Sequence, residues 1–468
     1  MTLEGDYVPP HPPRPQLRRM PPLEMLRRGR RNYLELWTER NFSQEFIATG
    51  FLGRRMFLCN SPATVQEAFI ERHAALQRKS PQMRHALEPL LGDGLFISDG
   101  LLWKERRRMV APVTHASRMA DLVPVMTRAV EERRAAWAAR PAGQPIDMLA
   151  EMAALTAEVI CRTLFGRQLG DGPALAVAAA FSRYQARVEQ TAVPYLLGLP
   201  DWMARLPWPW PSREVRRIHQ VVDGLVARVL AHGNPGETSL VRALAAMEDG
   251  KLRVDPVALR NEAVTLFMAG HETTANTLAW AWFLLSQAPR AAARLRAEAD
   301  TVLGGRAAGW EDVPKLPFTR AVIEETLRLY PPVPVLARQA QEDTTLNGMA
   351  VPKGSLVLVV PWLLHRSPNW WEKPDHFIPE RFLPGMARHP RHAFIPFSLG
   401  PRVCTGMQFG LTEAIIALAT LARSFEAELA PGAVVAPVCR LTLRPGARLL
   451  MLLRPRVVAA APLPEGVA

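Results

Sequence analysis

A mainly α-helical fold is predicted by three features of the sequence. Alanine, leucine and arginine dominate its 468 residues, and all three favour helix. Between Pro256 and Pro289 no proline interrupts a run of apolar and small residues, which permits a helix of about 30 residues, roughly 45 Å at the standard rise. Elsewhere 43 prolines cut the helices short and fill the loops, because proline lacks the N–H that a helix interior needs.

With 48% hydrophobic residues there is ample material for a core. Length alone would suggest about three domains, yet no Gly/Ser run, repeat or block of like charge divides the chain. Residues 1–25 read as an extended proline-rich arm, with Pro9, Pro10, Pro12, Pro13 and Pro15, and 26–468 as one domain. The N-terminus lacks the basic and apolar regions of a signal peptide. The longest apolar run, Leu356 to Leu364, contains Pro361 and falls far short of the roughly 20 residues that span a bilayer. No transmembrane anchor and a cytoplasmic location are therefore expected. The formal charge of +13 is scattered and not interleaved with aromatic residues, which argues against nucleic acid and for a basic face that meets an acidic protein partner. Cys59, Cys161, Cys404 and Cys439 form no CxxC pair and no zinc spacing, so reduced thiols are the default.

In chain order, Leu23 to Leu36 is the first helical candidate. The Arg-Arg pairs at 18–19, 27–28 and 30–31 form a solvated face, with an anionic membrane surface as the alternative. Leu52 to Asn60 suits a strand, and Ser61-Pro62 opens a helix with proline in its first turn. In Gly100 to Pro112, Trp103 and Arg107 are four apart and share one helix face. Residues 146 to about 242 are helical but generic, except that Leu206 to Pro211, Leu-Pro-Trp-Pro-Trp-Pro, cannot be regular helix. Asp255-Pro256 supplies a cap and first turn for the long helix. Glu325 and Arg328 meet on one helix face, and their apolar neighbours predict burial. A buried pair must be fully hydrogen-bonded to persist, so Arg381 of the segment Pro379-Glu-Arg-Phe382 is expected as a third partner. Thr344 to Val360 carries the turn Asn347-Gly348 between alternating apolar residues, the signature of a hairpin, and Arg440 to Leu453 repeats that pattern.

Two stretches carry chemistry. Phe397 to Gly406 reads Phe-Ser-Leu-Gly-Pro-Arg-Val-Cys-Thr-Gly and places Cys404 just before a helical segment, Leu411 to Phe425. A lone cysteine is commonly a small buried hydrophobe. Here Gly400 and Gly406 bracket it and let the backbone turn tightly against something flat, while Arg402 can pair with an acidic edge, so a metal-ligating thiolate is the competing reading. At the middle of the long helix stands Ala269-Gly270-His271-Glu272-Thr273-Thr274. The zinc-protease pattern fails, because position 275 is alanine. Glycine, acid and hydroxyl together are a poor choice for a plain buried helix, and such local rule-breaking marks functional sites.

These segments resemble the cytochrome P-450 family. The Phe397–Gly406 loop is similar to the family's haem-binding loop, with Thr405 where an aliphatic residue is usual. Trp103 and Arg107 resemble the family's helix that contacts a haem propionate, 269–274 its oxygen-binding helix turn, and Glu325, Arg328 and Arg381 its structural triad. The resemblance implies a triangular helical prism with a small β-rich region, haem b held by the axial thiolate of Cys404, and cofactor contacts from Trp103, Arg107, Ala269, Gly270, Arg338, Phe397, Gly400, Arg402 and Gly406. It implies that Gly270 opens an oxygen groove, that Glu272 and Thr273 organise proton delivery, and that the Thr405 hydroxyl tunes the iron. By the same resemblance Val335 and Leu336 are expected to face substrate, and Trp208 and Trp210 either to touch substrate or membrane or to anchor a loop. It also implies that Lys104, Arg106 and Arg108 point partly outward where redox partners dock.

The activity implied is insertion of one atom of O2 into a hydrophobic small molecule. No dinucleotide-binding glycine pattern follows a strand, so electrons are expected from a separate acidic ferredoxin or flavodoxin with its reductase. A peroxide-driven peroxygenase is the alternative, against which Glu272-Thr273 argues, and a non-catalytic haem sensor or carrier is the rival from another class.

Overall fold

The computed structural model describes residues 7–456 apart from 17–20, 52–53, 142, 167–175, 182, 185–211, 233–238, 246, 249–250, 253–254, 388 and 440. The Leu206–Pro211 loop with Trp208 and Trp210, the arginines at 18–19, and Arg440 lie outside the described residues.

The longest described helix, Pro256–Gln287, runs 32 residues through the body. The Asp255 carboxylate accepts the Ala258 N–H at 3.1 Å, a side-chain cap ahead of proline at the first helical position. It is buried nearly all round because other helices cover its faces. Helix Met148–Phe165 packs along it most extensively, with Pro317–Leu329, Met407–Ser424 and Ser212–His232 on other sides. A hydrophobic side chain on any face therefore meets protein, which explains why the sequence there shows no amphipathic stripe.

A five-stranded sheet stands to one side in the order Phe46–Phe51, Arg54–Cys59, Leu356–Val359, Leu336–Gln339, Arg78–Lys79. Along Leu336–Gln339 burial alternates, so Leu336 and Arg338 point to one face, as the period of two requires. The predicted turn at Asn347-Gly348 is present, with φ of 48° and 72°, and joins Thr344–Leu346 to Met349–Val351. Two expectations are corrected. The predicted helix Leu23 to Leu36 is a helix only over Pro22–Arg31, after which Asn32 turns extended and its side chain caps a short 3-10 turn at Tyr33–Leu36. The segment after 440 is not one hairpin: Leu443–Arg444 pairs with Val438–Cys439, while Leu450–Pro455 pairs with Phe425–Leu429 and Pro145–Asp147.

The described part of the proline-rich arm lies along the body. The Phe377 N–H donates to the Tyr7 carbonyl (3.1 Å) and the Tyr330 hydroxyl to the Pro10 carbonyl (2.8 Å). Arg14 pairs with Asp375 and lies 3.9 Å above the Phe42 ring.

Glu325 and Arg328 are fully buried. Arg328 donates Nε to Glu325 Oε2 (2.7 Å) and Nη2 to Oε1 (2.8 Å), a two-point clasp. Its remaining N–H groups reach the carbonyls of His365 (2.8 Å), Pro374 (2.6 Å) and His376 (2.9 Å), and the Ile378 N–H donates to Glu325 (2.8 Å). Arg381 Nε stands 3.5 Å from the same carboxylate. One buried pair thus fastens helix Pro317–Leu329 to the loop that leads towards the cysteine. Glu325→Leu leaves Arg328 charged and unpaired, and should cost about 3–5 kcal/mol, read as a lower urea midpoint; a midpoint equal to wild type would show the clasp to be dispensable.

Candidate functional site

The cysteine loop is set by one glycine. Gly400 has φ of 70°, and a Cβ there would press into the backbone of Phe69; only glycine meets both demands. The Cys404 N–H donates to the Phe397 carbonyl at 2.9 Å and the Val403 N–H to Gly400 at 3.0 Å, and helix Met407–Ser424 begins just beyond Gly406. Cys404 Sγ opens onto an internal cavity of about 280 Å³ between the loop and the central helix.

That cavity gathers residues from four distant segments. Trp103, Arg107, Ala269, Gly270, Glu272, Thr273, Arg338, Phe397, Arg402, Cys404 and Gly406 all line it. Gly400 does not; it buttresses the loop from behind. Val335 and Leu336 are also on the wall, with Thr405 beside the cysteine.

The charges on this wall decide what it can hold. Arg107 donates to the Val403 carbonyl (2.7 Å), Arg402 donates to the Ser98 carbonyl (2.7 Å), and the Arg402 guanidinium stacks 4.6 Å from the Trp103 ring. Arg338 is buried; among the described residues its side chain donates to the carbonyl of its neighbour Ala337 at 3.2 Å and lies 4.9 Å from the Phe69 ring. Lys79, which sequence reasoning missed, is buried on the same wall, 4.3 Å from the Phe96 ring. Lys79 and Arg338 face each other across adjacent antiparallel strands, a like-charge pairing that destabilises a sheet. Among the described residues no carboxylate comes within ion-pair distance of Lys79, Arg107, Arg338 or Arg402. Burial, with the neighbouring cations adding to it, pulls Lys79 well below the usual lysine range and Arg338 down to about 9. Buried cations without counter-charge are expensive, so the wall is built for an anionic ligand. Burial pushes the Cys404 thiol up, while the Gly406 N–H and the charges of Arg107 and Lys79 pull it down. A thiol beside cationic anchors in an apolar slot is a donor set that fits haem: sulfur for iron, cations for the two propionates.

Opposite the sulfur, the central helix turn departs from regular helix chemistry. Thr273 Oγ1 donates to the Ala269 carbonyl (2.7 Å), and Thr156 Oγ1 donates to the His271 carbonyl (2.8 Å). Glu272 is buried; its carboxylate accepts from Thr442 Oγ1 (2.6 Å) and from Arg444, whose Nε lies at 3.0 Å. Thr442 and Arg444 were not singled out in the sequence. Arg444 is about one-third exposed, so this acid connects the cavity wall towards solvent. His271 faces away, stacked 5.6 Å from the Phe267 ring, and burial holds it down to about 4.

Two expectations change. The space that a Gly270 side chain would take is filled by Ile160, whose Cδ1 lies 2.9 Å from the would-be Cβ. Gly270 therefore lets two helices close up, while it stays on the cavity wall beside Ala269 and Thr273. Arg106 does not point outward. It stands three residues after Trp103, shares its buried face, and pairs with Asp93 (2.7 Å) and Glu262 (3.6 Å). Lys104 and Arg108 are exposed.

Residues 10–450 match the family model "Cytochrome P450". The chain belongs to the cytochrome P-450 family. It is 35% identical over 409 residues to cyclooctatin synthase of Streptomyces melanosporofaciens, covering 86% of this chain and 87% of that one. It is 29% identical to taurochenodeoxycholic 6 alpha-hydroxylase of Sus scrofa, over 79% and 77% of the two chains. Among solved structures it superposes on the cytochrome P-450DA haem domain with a TM-score of 0.73 at 25% identity, over 90% and 91% of the chains. Members of this family are haem-thiolate monooxygenases, and the mainly helical prism of the cytochrome P-450 fold is the architecture seen here. Among the described residues no helix is long and apolar enough to cross a membrane.

The uncompensated cations give a direct test. With haem removed, Arg338→Leu should raise the thermal midpoint, because a like-charge pair disappears. With haem bound, the same variant should lose haem to apomyoglobin about tenfold faster or more, the loss of one charge-assisted hydrogen bond at about 1.5–3 kcal/mol. Lys79→Met should move both readings the same way; unchanged haem transfer in both variants would remove these cations from the site.

Proposed function

We propose that this cytochrome P-450 binds haem b through Cys404 and oxidises a neutral, apolar small molecule with electrons from an acidic ferredoxin or flavodoxin. The observation that carries the reading is the set of four cations and one thiol around a single apolar cavity. Arg107, Arg338, Arg402 and Lys79 would hold the propionates, and Trp103 keeps Arg402 aimed by stacking against it. Bound iron supplies the oxygen chemistry, with thiolate electron donation favouring O–O cleavage.

The chain's own residues do the rest. Glu272 holds a proton route between Arg444 at the surface and the cavity. Thr273 presents its hydroxyl at the wall while returning its proton to the Ala269 carbonyl, a bond it can exchange for one to a water or substrate oxygen. Glu272 with Thr273 in the cavity favours the oxygen-dependent reaction over the peroxygenase. Once the propionates occupy the four cations, Met83, Leu87, Leu95, Phe96, Val335 and Leu336 leave an apolar remainder, suited to a substrate without a carboxylate. Cyclooctatin synthase among the relatives makes precursors of cyclooctatin the first compounds to screen.

Docking of the electron donor is supported by the surface outside the cysteine loop. Leu101, Leu102, Ile70 and Met407 are exposed apolar residues there, with Lys104 and Arg108 beside them. The double reversal Lys104→Glu with Arg108→Glu should slow reduction by an acidic ferredoxin about tenfold at low salt, within the range of electrostatic steering, and the difference should shrink as salt screens it. Equal reduction rates for wild type and variant at every ionic strength would rule this face out. Arg106 is left intact because an acid there would stand unpaired beside Glu262.

A further inference from the structure

Just past Thr273, the central helix meets the helix behind the cysteine loop at a buried carboxyl. Glu413 lies in the second turn of Met407–Ser424, only 1% exposed. Neither of its oxygens has a well-formed hydrogen bond among the described residues. Its helix neighbours Thr412, Ala414, Ile416 and Ala417 are buried as well.

The facing group is Thr274. Its hydroxyl reaches the Met407–Ser424 helix at Gly410, where it lies 3.5 Å from the position a Cβ would take. Gly410 and Glu413 are three apart, hence one above the other on the same helix face. The lack of a side chain at Gly410 leaves room for the Thr274 hydroxyl to lie against the carboxyl, and it is the polar group placed to act on Glu413. Thr274 also lines the cavity. An apolar residue at 413 would fill the same space at less cost, because a buried polar group without partners is destabilising, and such exceptions concentrate where function requires them.

We propose that Glu413 is a positioning residue: its carboxyl clasps the Thr274 hydroxyl across the helix interface and fixes the turn carrying Gly270 to Thr274 relative to the cysteine loop. The proposal rests on Cys404 as the haem ligand and on Thr273 as the hydroxyl presented to the cavity. Burial pushes the Glu413 carboxyl well above the usual carboxylate range, against the lowering effect of the Thr274 hydroxyl. A protonated carboxyl both donates and accepts, and so does a threonine hydroxyl, so each satisfies the other. The turn that presents Thr273 is thereby locked to the helix that follows Cys404, which keeps the two walls of the cavity in register.

The test is the infrared spectrum of the haem-loaded, reduced protein saturated with carbon monoxide, for wild type, E413Q, E413L, T274V and the E413L/T274V double variant. The wild type should show the C=O band of a protonated carboxylic acid that shifts in deuterium oxide, disappears in E413Q and E413L, and moves in T274V. The C–O stretch of bound carbon monoxide senses polar groups opposite the sulfur; E413L and T274V should move it in the same direction and the double variant no further, while E413Q, which keeps a donor and an acceptor, stays at the wild-type position. Should E413L fail to fold, the nearly isosteric T274V carries the same two readings. A wild type without the acid band, an acid band indifferent to T274V, or a carbon monoxide band unmoved by both E413L and T274V overturns the proposal. An absorption spectrum of the histidine-ligated kind, with the acid band and its T274V shift intact, would fault Cys404 as the ligand and leave the clasp standing.

Discussion

Four cations aimed into one apolar cavity, with no carboxylate within ion-pair distance of them among the described residues, are the constraint on which the rest of this molecule turns. Lys79 and Arg338 sit opposite each other on neighbouring strands, and Arg402 adds its charge to both. No fold retains such an arrangement for its own stability, because desolvated charge must be paired to be tolerated. The cavity therefore stores an unfavourable charge balance that a dianionic ligand relieves. Haem meets that demand at its propionate edge and offers iron to Cys404 at its centre.

The scaffold around the cavity holds two walls at fixed separation. One wall is the cysteine loop, held by Gly400 against Phe69 and tied to the body through the Glu325–Arg328 clasp. The other is the central helix, packed on every side and drawn close to Met148–Phe165 where Gly270 leaves room for Ile160. Between the two walls the chain needs no motion to assemble its polar groups. What remains adjustable is small: the Thr273 hydroxyl and the Glu272–Arg444 contact at the edge of solvent.

The sequence revealed most where a residue type breaks a local rule. Glycine with acid and hydroxyl in a long helix, glycines around a cysteine, and an acid three residues from an arginine among apolar neighbours each pointed to their place before any contact was known. It was least informative where placement depends on distant partners. Lys79 follows an ordinary arginine and precedes a helix cap; only the sheet brings it beside Arg338. Thr442 and Arg444 reach Glu272 from about 170 residues away in sequence, and nothing local marks them. Arg106 reads, with Lys104 and Arg108, as one of three outward-pointing cations, yet its position three after Trp103 turns it inward. Apolar spacing runs on through Tyr33–Leu36 and suggests one helix, while Asn32 breaks the backbone and accepts the Leu34 N–H as the N-cap of a separate short turn.

The most direct test of the account is the absorption spectrum of the dithionite-reduced protein with and without carbon monoxide. A strongly red-shifted Soret band, lost when Cys404 is replaced by histidine, is the result expected for haem held by a cysteine thiolate in this cavity. A band at the position typical of histidine-ligated haem in the wild type would contradict it, as would a red-shifted band that persists without Cys404.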